Sequence, residues 1–392
     1  MKKDLDILLV ARPDHSIQIY NSLLKQNRLY YIFLSFKIFP EWLKRLTKIK
    51  KMTTFSKNAI CSWRLTFIHL CRYKYKFKFA QDWDETRVFD VYLKRIFKKH
   101  NVKLIHYWPE YGDTEILKYS THNPGSLAIA DIHMPHPAAV YESMKPIYEK
   151  YGINPESTQL YVIAQHQSKL VDNATDILVP SSYVADTYKK VYNNKKYHII
   201  SYGITVSASY EKRERTVIKE FVYAGRISLE KGSDLLLECF ANHPELNIHL
   251  YGGVIQGQEA IFDRYRNSDN IFFHGSVPKV ELQEHLKQYD VGIHLSRFDA
   301  YSLAVGEMIG SGLPVIVSSN TGNKDDILEF GFGEVSKLDI LNIEQSISSI
   351  CDINNYCMYS ENIDKYIKGH PLDYGHKMLS FYSNKLTELE EL

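Results

Sequence analysis

The sequence predicts an α/β protein built on parallel, doubly wound sheets. Apolar runs of strand length alternate with helix-length polar stretches along most of its 392 residues, and strands that alternate with helices pair in parallel. The loops after several of these runs are polar and contain glycine, as turns at strand ends do. An apolar fraction of 44% is ample for more than one core, and the length predicts two or three domains.

Taken in order, residues 7–11 form a first strand, residues 17–24 carry apolar positions near helical spacing, and residues 29–36 (LYYIFLSF) are a second strand by aromatic content. The basic start MKKDLDILLV is interrupted by Asp4 and Asp6, with no small-residue pair after it, so it reads as that first strand and not as a signal peptide. Residues 102–108, 126–133 and 173–181 are further strands, a helix follows at 183–191, and residues 197–204 form another strand. Residues 208–219 (ASYEKRERTVIK) are charged and aperiodic, the expected interdomain linker. Strands are then expected at 220–225, 247–253, 270–278, 290–296 and 313–319, with late helices around 343–350 and 374–389. The expected organisation is an N-terminal domain over 1–207, a second domain over 208–373, and a last helix over 374–392 that packs back on the first domain.

The net charge of +2 hides an asymmetry, because residues 37–78 hold twelve Lys and Arg against Glu41 alone. Aromatic and aliphatic residues are interleaved with those charges across 36–80. That composition suits a helix lying on an anionic membrane surface. It also describes a solvated basic face or a single-stranded nucleic-acid groove; the membrane surface is the partner expected here, and nucleic acid is not. No window approaches the ~18 apolar residues of a spanning helix. The five cysteines lack any C-x-x-C spacing, so neither a disulfide framework nor a zinc site is expected and a cytoplasmic setting fits. Asp82-Trp83-Asp84 matches the D-x-D metal signature, but it precedes a helix pattern at 86–100, where acids favour the helix N-terminus.

Chemistry concentrates in residues 297–314, RFDAYSLAVGEMIGSGLP. An apolar strand lies on either side, and residues 302–309 leave room for one helix stopped by Gly310 and Gly312. Asp299 falls in the loop and Glu307 two turns into the helix, about 10 Å further along at ~1.5 Å per residue. The two acids can bracket a long ligand, with the amides of Tyr301, Ser302 and Leu303 between them at a helix N-terminus that favours phosphate. Upstream, Gly225-Arg226 and Lys231-Gly232-Ser233 place two cations in one strand-to-helix loop, suited to clamping a diphosphate without metal, with Ser233 available to cap the helix.

This pattern resembles the E-x7-E and G-R-x4-K-G elements of retaining GT-B glycosyltransferases, glycosyltransferase family 4. The resemblance implies two Rossmann-like doubly wound domains facing across a cleft. It implies that Asp299 lies at the donor sugar, that Gly225, Tyr301, Ser302 and Leu303 line the diphosphate with Arg226 and Lys231 on it, and that Glu307 takes the ribose hydroxyls. His274, Ser276 and Val277 match the loop that reads the nucleobase edge, His133 the histidine delivered to the cleft, and Gly203 the turn that ends the first domain. Departures are Asp299 where Glu is usual, Ser302 where Gly is frequent, Gly306 where a larger apolar residue is common and Tyr202 where Asn is usual. The first turn, Arg12 to Ser16, lacks the family's glycines, so acceptor-side roles do not carry over. His133 and His136 do not share a helical face because Pro135 and Pro137 separate them, and no metal is expected.

The implied activity is transfer of a sugar from a UDP- or GDP-linked donor to a glycan or lipid-linked acceptor, with no cofactor required. It would take place in the cytoplasm, on the inner face of the plasma membrane, in bacterial surface polysaccharide synthesis. A nucleotide-sugar epimerase, a sugar phosphorylase or a non-catalytic carbohydrate-binding partner would use the same cleft.

Overall fold

The computed structural model describes residues 3–10, 19, 33–36, 59–62, 86–109, 113–165, 171, 174, 176–207, 210 and 212–391. Strands β1 (Lys3–Val10), β2 (Phe33–Phe36), β3 (Ala59–Ser62), β4 (His100–Tyr107), β5 (Leu127–Asp131), β6 (Asp176–Val179) and β7 (Lys196–Ile199) come from the first half. The second half supplies β8 (Glu220–Ala224), β9 (Asn247–Tyr251), β10 (Ile271–Gly275), β11 (Val291–His294), β12 (Val315–Ser318) and β13 (Gly333–Ser336). Five strands form one sheet in the order β1-β4-β5-β6-β7, six form another in the order β10-β9-β8-β11-β12-β13, and β2 pairs with β3 apart from both. All these pairings are parallel.

Why these segments are strands follows from burial on both faces. β11 (VGIH) and β12 (VIVS) are buried at every position, which is why they read as continuous apolar runs and not as alternating ones. In the six-stranded sheet the chain starts in the interior at β8, adds β9 and β10 on one side, then returns to add β11, β12 and β13 on the other. The order reverses between β8 and β11, and open parallel sheets hold ligands in the crevice outside the carboxyl ends of the strands at such a point.

The two halves are knitted together. Helix Pro137–Lys150, from the first half, contributes Val140, Tyr141, Met144 and Tyr148 to the core that contains Phe221, Tyr223, Leu236 and Phe240 of the second. Conversely, helix Tyr374–Glu390 returns to the first sheet and packs Tyr374, Met378 and Tyr382 against Ile7, Leu104, Ile129 and Leu178. Asp373 caps its start by accepting from the His376 N–H at 2.9 Å.

One expectation changes. Ser233 is not the cap of its helix: Gly232 holds that position at φ 66°, and the Ser233 Oγ accepts from the Ser228 N–H at 3.1 Å. The charged stretch before β8, expected as the interdomain linker, is anchored in part. Arg213 is only 9% exposed, and its guanidinium donates to the carbonyls of Lys287 (2.6 Å), Leu286 (3.2 Å) and Ser311 (3.0 Å), so the charge is used to close open carbonyls at helix ends. Helix Ile353–Lys368, unexpected from its polar sequence, starts at Asp352, which accepts from the Asn354 and Asn355 N–H groups. The first turn at 12–16, most of helix 17–24, most of the basic segment and Asp82-Trp83-Asp84 lie outside the described residues.

Gly310 closes helix Leu303–Gly310 against the crossover from the first half, where the Ser207 N–H donates to the Gly310 carbonyl at 2.9 Å and a Cβ on Gly310 would meet the Thr205 carbonyl oxygen at 2.0 Å. Overpacking against backbone costs about 1–3 kcal/mol, more than the ~1 kcal/mol of helix propensity an alanine gains. Gly310→Ala is therefore expected to lower stability by up to about 2 kcal/mol in urea titrations; greater stability would contradict this packing.

Candidate active site

The crevice at the β8/β11 reversal is built from two loops. The first follows β8 and runs through Gly225, Arg226 and Lys231 into helix Ser233–Ala241. The second follows β11 and runs through Arg297 and Asp299 into helix Leu303–Gly310. Glycine is required at two close approaches. A Cβ on Gly232 would meet the Leu295 carbonyl oxygen at 1.9 Å, and one on Gly252 would meet the Gly225 carbonyl oxygen at 1.7 Å, with both residues at positive φ.

Two ion pairs lock the loops together. Arg297 forks onto Asp234 at 2.6 and 2.8 Å, both side chains nearly inaccessible, and also donates to the Leu229 carbonyl. This bidentate geometry is the strong form of such a pair. Lys231 Nζ donates to Asp299 Oδ2 at 2.5 Å, and His294 Nε2 donates to the same oxygen at 3.1 Å. Burial alone would raise the Asp299 carboxyl, but the His294 hydrogen bond and the Lys231 charge outweigh it and hold the group far below the usual carboxylate range.

His294 is 2% exposed, and burial pushes its imidazole below the ordinary value despite Asp299. Its Nδ1 is buried with no hydrogen-bond partner, so protonation there would strand a charged donor. The neutral tautomer with Nε2–H facing Asp299 follows. The His294 ring stacks on Tyr223 at 6.0 Å, and the Tyr223 hydroxyl donates to the Arg226 carbonyl at 2.6 Å, which fixes the backbone of Arg226 beside the pair while its side chain stays exposed.

At the start of helix Leu303–Gly310 one of the three expected amides, that of Ser302, is already taken. The Ser302 N–H donates to Asn323 Oδ1 at 2.7 Å, and Asn323 Nδ2 donates back to the Ser302 carbonyl at 3.1 Å. Among the described residues the N–H groups of Tyr301, Leu303 and Ala304 have no such partner and remain open to an anion. The Tyr301 side chain is buried and donates to Asp326 at 2.5 Å. Glu307, one face further along, pairs with Lys279 at the start of helix Lys279–His285. Gly306 allows close approach of the first half: a Cβ there would already touch the Gly203 carbonyl oxygen at 3.4 Å, and Gly203 itself turns at φ 79°.

From the first half, His133 stands just past β5. Its Nδ1 is 2.7 Å from the Tyr202 hydroxyl, its ring lies edge-on to Trp108, and its Nε2 is 3.6 Å from Asp131. Burial would raise the Asp131 carboxyl, but His133 and the hydrogen bonds from His106 and Trp108 hold it low. Tyr202 in turn meets Tyr301 edge-on at 5.5 Å, so His133 is joined to the helix start by two aromatic contacts. His136 does not accompany it: its ring packs on Tyr188 instead.

His274 lies near the end of β10, and Ser276 and Val277 follow it. His274 stacks on Tyr251 at 4.6 Å and hydrogen-bonds His249 at 2.9 Å; burial depresses both imidazoles, so one neutral ring donates to the other. A cavity of about 510 Å³ opens beside them, lined by Tyr251, His274, Val277, Glu281 and His285 among others. His294, Asn323 and Lys279 were not anticipated. A histidine in an otherwise apolar strand, five residues before Asp299, was the available signal for the first; nothing in the sequence marks the other two.

Two parallel-sheet domains packed against each other, as here, constitute the GT-B fold. Residues 210–365 match the family described as Glycosyl transferases group 1. The chain is 23% identical over 176 residues to an Escherichia coli K12 protein described as "Putative colanic acid biosynthesis glycosyl transferase WcaC", a match covering 42% of this chain and 41% of that protein. It therefore spans about two fifths of that relative's length. Among solved structures, sucrose-phosphate synthase from Thermosynechococcus elongatus superposes with a TM-score of 0.62 at 14% identity, covering 98% of this chain and all of that one. Anabaena HepE in complex with UDP superposes with a TM-score of 0.58 at 12% identity, covering 97% of this chain and 100% of that one.

Stability should report on the neutral His294. Because its folded value is depressed, the stabilisation it allows is complete above the unfolded imidazole value of about 6.5 and is lost as pH falls through the lower folded value. Urea titrations from pH 8 to 5 are expected to show a steeper loss for the native chain than for His294→Gln, with a slope difference of up to about 1.4 kcal/mol per pH unit. Parallel pH profiles would contradict a neutral buried His294.

Proposed function

We propose that the chain is a retaining glycosyltransferase that moves a sugar from a nucleoside diphosphate donor to a hydroxyl of a glycan or lipid-linked acceptor, in surface polysaccharide synthesis. The observation that carries this reading is the Lys231–Asp299 pair at the sheet reversal, beside the open amides that begin helix Leu303–Gly310. A diphosphate in the crevice takes Arg226 and Lys231 as cationic partners and the Tyr301 and Leu303 amides as dipolar ones. Negative charge grows on that group as the glycosidic bond breaks, and preorganised donors stabilise it most where water is excluded. Asp299 holds the Lys231 ammonium in place and faces the sugar, Glu307 takes the ribose, and His133 lines the sugar side from the first domain.

Departure of the diphosphate and attack of the acceptor from one face retain configuration without a protein nucleophile. The cavity beside His274 and Val277 offers aromatic walls for a base. UDP is the donor nucleotide favoured, since related folds were solved with it: HepE in complex with UDP and an E. coli trehalose-6-phosphate protein bound with UDP-2-fluoro glucose. The colanic acid relative favours the polysaccharide acceptor.

With purified chain and a panel of UDP- and GDP-sugars, Lys231→Ala is expected to cut turnover by about 10²–10³-fold, as when one oxyanion donor is removed, while circular dichroism stays unchanged. Glu307→Gln is expected to weaken nucleotide binding by calorimetry more than it lowers turnover. Native turnover in the folded Lys231→Ala chain, or unchanged affinity in Glu307→Gln, would sink these assignments.

For the basic segment we propose a peripheral seat on an anionic membrane from the cytoplasmic side. Among the described residues no helix is long and apolar enough to cross a bilayer. Flotation with vesicles containing anionic lipid is expected to carry the chain at low salt and release it at high salt; no flotation at low salt removes the proposal.

A further inference from the structure

We propose that Cys239, His243 and Glu344 form a binding site for a divalent transition-metal ion of the zinc class, apart from the crevice and independent of the proposed transfer. Cys239 lies in the last turn of helix Ser233–Ala241 and His243 two residues beyond its end, and Glu344 projects from the neighbouring helix Ile340–Cys351. One donor atom from each lies within 4.8 Å of the other two. Tetrahedral bonds of ~2.0–2.3 Å set ligand atoms about 3.5 Å apart, so small side-chain rotations complete the geometry.

The histidine gives the second observation. Its Nδ1 is 3.0 Å from Glu245 Oε1, and its Nε2 is 3.5 Å from Glu344 Oε1. With the ring proton on Nδ1 and donated to Glu245, Nε2 presents a lone pair; that atom is buried and has no hydrogen-bond partner. A lone pair opposite a carboxylate is repulsive unless a proton or a metal ion stands between them, and of the two only a metal ion also takes the Cys239 sulfur. A carboxylate behind the imidazole is also the arrangement that orients a histidine toward a metal.

The thiol fits the same centre. Cys239 is fully buried and free of any disulfide. An incoming metal forms the metal–sulfur bond as the S–H bond gives up its proton to solvent. The partial negative charge at a helix C-terminus favours a cation there. Thiolate, imidazole and carboxylate together select a zinc-like ion over magnesium or calcium, and three protein ligands leave one position for water. An ion so held ties the far end of the helix that begins at the Lys231 turn to helix Ile340–Cys351.

The tag-free full chain, reduced and stripped with chelator, is titrated with Co²⁺ and then with Zn²⁺. The expected result is stoichiometric Co²⁺ binding with tetrahedral visible bands and a thiolate-to-cobalt charge-transfer band, both erased by Zn²⁺. Cys239→Ser is expected to abolish the charge-transfer band, whereas Cys357→Ser, at an exposed thiol, leaves it intact. Glu344→Gln, at a partly exposed helix position, is expected to weaken Zn²⁺ binding by about tenfold or more. No stoichiometric binding, a charge-transfer band that survives Cys239→Ser, or undiminished Zn²⁺ affinity in folded Glu344→Gln overturns the proposal.

Discussion

The crevice depends on the cross-link between the loops that follow β8 and β11. Neighbouring strands bring the loops near each other, but backbone pairing ends with the strands, and two loops rich in charge would otherwise separate into solvent. Arg297 prevents this by filling the space between them with a buried guanidinium whose donors are taken by Asp234 and the Leu229 carbonyl. The Arg297 N–H also donates to the Glu230 carbonyl at 2.9 Å. Removing either partner would leave an uncompensated buried charge, a loss of about 3–5 kcal/mol in such settings. The Lys231–Asp299 pair is held in register as a consequence, and the same lock reaches the first domain. The Tyr148 hydroxyl donates to Glu230 at 2.6 Å and the Tyr151 hydroxyl donates to Asp234 at 3.0 Å.

Charges in the crevice are matched before any ligand arrives. Lys231 is held by Asp299 and Glu307 by Lys279, while Arg226 stays exposed and the open amides await an acceptor. In the proposed reading an anion entering there would add partners to a Lys231 already oriented, so little reorganisation would accompany binding. Asn323 takes up the Ser302 amide and carbonyl together, fixing the entry to the helix. The first domain closes over the same point: the Ser181 hydroxyl donates to the Ala300 carbonyl at 2.8 Å, and Ser182 binds Asp325 through its N–H and hydroxyl at 2.7 and 2.6 Å.

Much of this was legible because continuous apolar runs bounded by polar turns have few readings. VIVS and VGIH had to be buried strands, and the helix between them had to begin near Ser302. Strand order was not legible, since an apolar run does not name its neighbours; the reversal between β8 and β11 emerges only from the pairings. The same limit explains the missed partners. Lys279 meets Glu307 across 28 residues and Asn323 meets Ser302 across 21, distances at which no local spacing rule operates. The anchoring of Arg213 within the expected linker was likewise out of sight, because carbonyls that accept its charge lie 74 and 98 residues away in sequence. Ser233 was given the cap because serine favours that position, yet the close approach of Leu295 admits only glycine one residue earlier.

A crystal structure of the chain with a bound nucleoside diphosphate is the most direct test of the account. It should place the two phosphates within hydrogen-bond reach of Arg226, Lys231 and the Leu303 amide, with the ribose at Glu307. A nucleotide seated elsewhere, with the Lys231–Asp299 crevice filled only by solvent, would contradict it.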